Sequence, residues 1–307
     1  MRNLKKSGGV LCQGVAVRYS AVQNLRLHYP LRLACRLLRV STSGYYSWYK
    51  RPIKAENSER MTAVVKAAHL KTRGTYGAER LHKELLAEGH DISLWKVKET
   101  RRKHGLILRR KRKFVRTTDS NHAVPVAPNL LSRNFTQNVC NRVWVSDITY
   151  IPTREGWLYL AGIKDLCSKE IVGFSLSSHM DTSLVTNALY NAFHAHRPLP
   201  GLTLHSDRGS QYCSHAYQEK VEKYRMVCSM RRTGNCYDNA PMESFWGLLK
   251  TELVHRRQYA THAEAIADIT EYIEIFYNRQ RRQAALGYLS PAAFARKLQE
   301  EQLDRAA

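Results

Sequence analysis

Three carboxylates stand where acids are unusual. Asp147 interrupts RVWVSDITYI, a run alternating apolar and polar residues that reads as a strand. An unpaired carboxylate there is costly to bury and calls for a cation or a functional reason. Asp207 stands just past LTLHS, another apolar strand pattern. Glu243 falls in the stretch Gly234 to Glu252, GNCYDNAPMESFWGLLKTE, which turns a polar loop into a helix. Met242, Phe245, Trp246, Leu249 and Leu253 gather on one stripe of that helix, with Glu243, Gly247 and the basic residue Lys250 on its border, which is read as exposed. Asn239 is placed to cap the helix and Pro241 suits its first turn, so Glu243 sits near the positive end of the dipole. Alone, a glutamate so placed is more often a capping residue than a catalyst. As a set, three acids are the ligands that hard divalent cations choose, and a centre of that kind serves phosphodiester hydrolysis and transesterification.

The elements that must position them follow in order. WLYLAGIKDL and KEIVGFSL are two more β-rich runs and predict an antiparallel meander after the Asp147 strand. A helix from Asp181 to His194, the LTLHS strand, a helix from Ser214 to Tyr224 and a fifth strand at MVCSM come next. The glycine-bearing loop RRTGNCYDN then leads into the Glu243 helix. The order βββαβαβα is an α/β layout in which acids at strand ends and a helix start can converge. Beyond it, Thr261 to Gln299 reads as helical, burying Ile266, Ile269, Ile273 and Phe276 against the core or a second subunit.

The front of the chain differs in kind. The formal net charge is +23, and residues 1–139 hold 29 Lys and Arg against 8 Asp and Glu, while residues 140–307 hold 20 against 18. A basic front half predicts a polyanionic partner, nucleic acid foremost, with a merely solvated surface as the bland alternative. From Leu31, two short helices across a tight turn, with Leu33, Leu37 and Leu38 on one face, suggest a helix-turn-helix or an ordinary hairpin. A helix from Glu56 to Leu70 and two more, stopped by Gly89 and Gly105, follow. Ser93 can cap the last of these, whose Lys96, Lys98, Arg101, Arg102 and Lys103 make it a candidate for contacting DNA. The run Arg109, Arg110, Lys111, Arg112, Lys113 suits phosphate contact, or a flexible basic linker. The expected division is a loosely ordered leader at 1–25, a helical DNA-binding region at 26–116, a linker at 117–134, a catalytic core at 135–252 and a helical extension at 253–307.

Seven scattered cysteines without a C-x-x-C pair argue against a disulfide framework and a zinc knuckle. His194 and His196 lack the partners to complete a metal site and read as helix-surface residues. No apolar run approaches a membrane span and no convincing signal peptide is present, so the expected compartment is a reducing cytoplasm. The chain lacks G-x-x-x-x-G-K-[ST], so no nucleotide cofactor is implied.

With 60 residues from Asp147 to Asp207 and 35 between Asp207 and Glu243, the chain resembles the insertion-sequence-three family of bacterial transposases, whose catalytic part looks like retroviral integrase with its D-D-35-E arrangement. WVSDITYI, HSDRGSQY, GNCYDNAPMESFWGLLK, YNRQRR and ALGYLSP carry the resemblance across roughly residues 30 to 295. It implies an RNase H-like, integrase-type core on a mixed five-stranded sheet, preceded by an all-α helix-turn-helix region. It implies Asp147, Asp207 and Glu243 as catalytic metal ligands, Asp147 bridging two Mg²⁺ (or Mn²⁺) ions, with cleavage at the element end and transfer of the freed 3′-hydroxyl into target DNA. Lys250 resembles the basic residue the family places against terminal DNA, or is a helical partner for a nearby acid; Asn235 and Tyr237 could bond to or stack on a displaced base. Asp165 is expected to support a turn, and His205 and Gln211 to orient Asp207 or touch DNA. Two departures, Gln283 where His is usual and Arg231 where Ser is usual, are expected to leave the metal ligands untouched. Implied partners are DNA, further copies in a dimer or higher assembly, and an upstream-frame protein of the same element, in a nucleoid-associated bacterial setting. A nuclease of the same fold that cuts without joining, and a DNA-binding regulator without catalysis, are the alternatives.

Overall fold

The computed structural model describes residues 14–107, 127–231 and 239–306, without the side chains of 51–56 and 305–306. Helices α1 (Val15–Leu25), α2 (Leu31–Leu37) and α3 (Thr42–Tyr49) close a small core of Val22, Ala34, Cys35, Leu38 and Tyr45. Val15–Leu25 is thus helical rather than part of a loose leader. Its period is faint in the sequence because only Val22 is fully buried. The face expected on α2 is also corrected. Leu38 is buried, but Leu33 and Leu37 remain 42% and 40% exposed, because a seven-residue helix turns Ala34 and Cys35 inward instead.

Helices α4 (Arg51–Lys71), α5 (Ala78–Ala87) and α6 (Leu94–Lys103) follow, α6 capped by Ser93, whose hydroxyl accepts from Lys96 N at 3.2 Å. Their apolar faces do not stay within a separate front domain. Val65, Tyr76, Leu81, Leu85 and Val97 share one core with the sheet and the C-terminal helices, because an amphipathic helix must bury its stripe somewhere.

The sheet has the order β3-β2-β1-β4-β5, from β1 (Val143–Thr153), β2 (Gly156–Asp165), β3 (Ile171–Ser177), β4 (Thr203–Ser206) and β5 (Val227–Met230). The first three strands form the predicted antiparallel meander; β4 and β5 run parallel to β1. Helix α7 (Thr182–His196), capped by Asp181, supplies the crossover into β4, and α8 (Ser210–Cys213) with α9 (His215–Lys223) the crossover into β5. The two-residue period of β1 and β2 sorts side chains between two layers. Trp144, Ala161 and Ile163 face α7 and α9; Val145 and Leu160 face α10 (Ala240–Glu252) on the other side.

Helix α11 (His262–Glu271) passes into wider π-type turns over Tyr272–Gln280, and α12 (Pro291–Ala306) ends the described chain. Ile269, Ile273 and Phe276 are buried as expected, but Ile266 is 37% exposed, on the outer edge of the stripe. The YNRQRR segment is a set of ties. Tyr277 Oη donates to Lys169 O at 3.0 Å, and Asn278 brackets Ile171 by accepting from its N and donating to its O. Arg281 holds Glu252 through two bonds of 2.9 and 2.7 Å, and Arg282 reaches Glu84 on α5.

Candidate active site

Parallel pairing of β1 with β4 runs Val143↔Thr203, Trp144↔Leu204, Val145↔His205, a constant offset of 60 residues. Two residues on, the same offset sets Asp147 beside Asp207, just past the last bonded pair, on strands about 4.8 Å apart and with side chains of the same parity. The spacing noted in the sequence is therefore the strand register. The electrostatics agree: burial first and the Asp207 charge second push the Asp147 carboxyl up to about 7.

Asp207 is held by its turn. Gly209 N donates to its Oδ1 at 2.8 Å, where a glycine Cβ would crowd the carboxylate at 3.0 Å. Arg231, at the end of β5, lies with NH2 3.9 Å from Asp207 Oδ2, and its charge partly offsets the upward shift of Asp147. The expectation that Arg231 stays clear of the acids is corrected. The parallel β4–β5 pairing and the bond from Arg231 N to Ser206 O (3.0 Å) bring it alongside.

Helix α10 is pinned to β1 on both sides of Glu243. Asn239 occupies the position before the helix but makes no side-chain cap; its amide donates to Ser146 O at 3.1 Å. Trp246 donates its indole N–H to Asp147 Oδ2 at 3.0 Å. Gly162, which faces Asp147 across the β1–β2 pair, makes room for that indole: a Cβ there would lie 2.7 Å from Cη2. Lys164, buried on β2, donates to Pro241 O at 3.2 Å, and burial lowers its amine to about 8. Glu243 is exposed in the first turn, one turn before Trp246.

The exposed reading of Lys250 is corrected. It is 7% exposed, its Nζ sits 4.7 Å from the Tyr150 ring centroid, and burial lowers its amine against the opposing pull of Asp147. A residue one turn past Trp246 on a helix lying along β1 is turned toward the strand. His205 is fully buried, with Nδ1 paired to Ser229 Oγ at 2.9 Å, which takes it out of reach of DNA. Gln211 donates to Met180 O. Asp165 has the expected supporting place, accepting from the backbone N–H groups of Asn141, Cys167 and Ser168 and from the Ser168 hydroxyl. It also brings Cys140 and Cys167 together, with ligand atoms of all three within 4.8 Å, although its oxygens already accept four bonds.

On α6, Lys96 Nζ donates to Ser58 Oγ and Glu99 Oε2, both at 3.1 Å, and Arg101 closes the helix end by donating to Leu106 O. The outward side is Lys98, Arg102 and Lys103 beside Trp95, which is 69% exposed. Asn235, Tyr237 and Arg109, Arg110, Lys111, Arg112 and Lys113 lie outside the described residues. Sequence reasoning missed Trp246, Gly162, Tyr150 and Lys164 as parts of the site. The one available signal was Trp246, since a buried indole N–H needs an acceptor.

Integrase core domain models match residues 138–236 and 243–298, and an HTH-like domain model matches residues 56–114, downstream of the hairpin at Leu31. The chain is 48% identical over 265 residues, 86% of its length and 97% of the relative's, to the insertion element IS600 uncharacterized 31 kDa protein of Shigella sonnei. It is 36% identical over 285 residues, 92% and 99%, to transposase InsF for insertion sequence IS3A of Escherichia coli (strain K12). Likeness to solved cores is lower. The HTLV-2 integrase catalytic core domain reaches a TM-score of 0.41 at 15% identity over 50% of this chain and 96% of that one, so the integrase-type, RNase H-like fold rests on sheet order and family match. Among the described residues no helix is long and apolar enough to cross a membrane.

Proposed function

This chain belongs to the IS3 family of transposases, enzymes of the polynucleotidyl-transferase type that act in DNA transposition, and we propose that Asp147, Asp207 and Glu243 are its catalytic carboxylates. The observation that carries the proposal is the 60-residue register of β1 on β4, which two residues past its last pair sets Asp147 beside Asp207, with the Asp147 carboxyl raised by burial first and by the Asp207 charge second. Two acids side by side resist joint ionisation unless a cation lies against them, and all-oxygen donors suit Mg²⁺ or Mn²⁺. Asp147, Asp207 and Glu243 would hold the divalent ions. Bound there, divalent ions supply charge stabilisation on the entering and leaving oxygens of the phosphodiester.

The chain's own residues do the positioning. Trp246 orients Asp147, Gly209 orients Asp207, and the two ties at Asn239 and Trp246 hold the Glu243 turn against β1. Lys98, Arg102 and Lys103 on α6, with the run Arg109 to Lys113, contact DNA phosphates; Lys96 and Arg101 brace the helix from within. Asn235 and Tyr237 engage a displaced base, and two or more copies assemble on the element ends.

Pre-cut element ends incubated with target DNA and Mg²⁺ test the reading. Joined product supports the transposase chemistry, cut product alone selects a nuclease, and binding without either selects a regulator.

A further inference from the structure

A second concave feature lies away from the three acids. A cleft of about 590 Å³ opens between the start of α5, the middle of α6 and the last turns of α10. Its walls carry Arg80, Lys98, Arg256 and Arg281 against two acids, Glu79 and Glu252. Glu252 is already bound by Arg281 through both oxygens and by the Tyr272 hydroxyl, so its charge offsets the other cations only in part. Arg256 is fixed on the carbonyls of Thr251 and Arg73.

Arg80 is the exception. It stacks 5.2 Å from the Tyr76 ring centroid, and its Nε is buried without a hydrogen-bond partner. Burial first, then the Arg281 charge, pull its guanidinium down from the ordinary value. A desolvated guanidinium beside a second one is a costly arrangement that an anion relieves, and the planar fork of arginine matches phosphate oxygens.

We propose that this cleft seats a backbone phosphate of the DNA on which the enzyme acts, with Arg80 at its floor and Lys98 at its rim. The proposal rests on the transposase reading above. Two features favour DNA over a small anion. Lys98 continues along α6 into the exposed Arg102, one turn on, so the rim joins a basic helix face. The opposite wall is the helix that carries Glu243: Thr251 lies eight residues further along, about 12 Å at 1.5 Å per residue. That distance is spanned by roughly three or four nucleotide steps of 3.4 Å.

The test is the salt dependence of binding to a short random-sequence duplex, read by fluorescence anisotropy with the full chain. Lys98→Gln, on the exposed rim, and Arg80→Gln are each expected to flatten the slope of log K against log salt, by about 0.9 for each phosphate that is no longer neutralised. Arg80→Lys, which keeps the charge, should retain the slope. An unchanged slope in Arg80→Gln overturns the proposal whatever Lys98→Gln does, because Lys98 also belongs to the outward face of α6. So does a melting shift of the wild-type protein with inorganic phosphate that Arg80→Gln removes while the DNA slope stays the same, which marks a small-anion seat. Wild-type strand transfer, run in parallel, separates the two readings: its failure with the slope change intact sinks the catalytic assignment and leaves the cleft.

Discussion

Trp246 and Asp147 are joined across the face of the sheet by a single 3.0 Å hydrogen bond, indole N–H to carboxylate, and Gly162 opposite Asp147 leaves the gap the indole fills. The bond does two things. It selects one rotamer of a carboxylate at the sheet's open end, and it sets the helix bearing Glu243 at a fixed height on β1.

Trp246→Phe keeps most of the ring and loses the donor. Outer-shell partners of metal ligands are typically worth ten- to a hundred-fold in metal affinity or activity, so a loss of about tenfold in apparent Mn²⁺ affinity is expected, with the fold intact by circular dichroism. Gly162→Ala forces the indole out and is expected to destabilise the protein by about 1–3 kcal/mol, measured by chemical unfolding.

Asp147→Asn retains an acceptor for Trp246 but removes the charge. Strand cleavage and joining should both disappear while duplex affinity stays within a few-fold of wild type, because the cations that meet phosphate lie elsewhere. Loss of binding along with cutting would contradict that division of labour.

The raised Asp147 carboxyl carries a pH signature. The folded protein holds this proton up to about 7, against an ordinary value of 3.8, so it binds more protons than the unfolded chain across that window. Metal-free stability should therefore fall as pH rises from about 4 to 7, by at most about 4 kcal/mol from this group. Melting curves in chelator should show the decline in the wild type, and Asp147→Asn should melt higher than wild type at pH above 7 but not near pH 4.

Arg231 sets a positive charge 3.9 Å from Asp207 Oδ2, where it opposes the arrival of a cation. Arg231→Gln is expected to lower the Mn²⁺ midpoint about three- to ten-fold in calorimetric titration, the size of the roughly 1 kcal/mol that two unit charges 4 Å apart exert through water. An unchanged or higher midpoint would show that Arg231 does not compete.

The Glu252–Arg281 pair anchors the end of α10 from within the core. Arg281→Met strands a buried carboxylate and should cost about 3–5 kcal/mol, with a melting temperature several degrees lower.

Much was legible in the order of residues alone. Strand alternation around Asp147, the meander that follows, the apolar stripe of α10 and the capping serine of α6 are patterns of neighbouring residues, and local sequence reports them directly. The three acids as a set were legible through their spacing and surrounding motifs, which carry the family resemblance, and not through local periodicity. Only tertiary structure decided that 60 residues of spacing is a parallel register, that Lys250 turns under Tyr150, that Arg231 meets Asp207, and that Arg80 faces an unanswered cleft. Each of these depends on which distant segment packs opposite. A chain determines that through the sum of many weak long-range contacts, and no short window of residue types contains it.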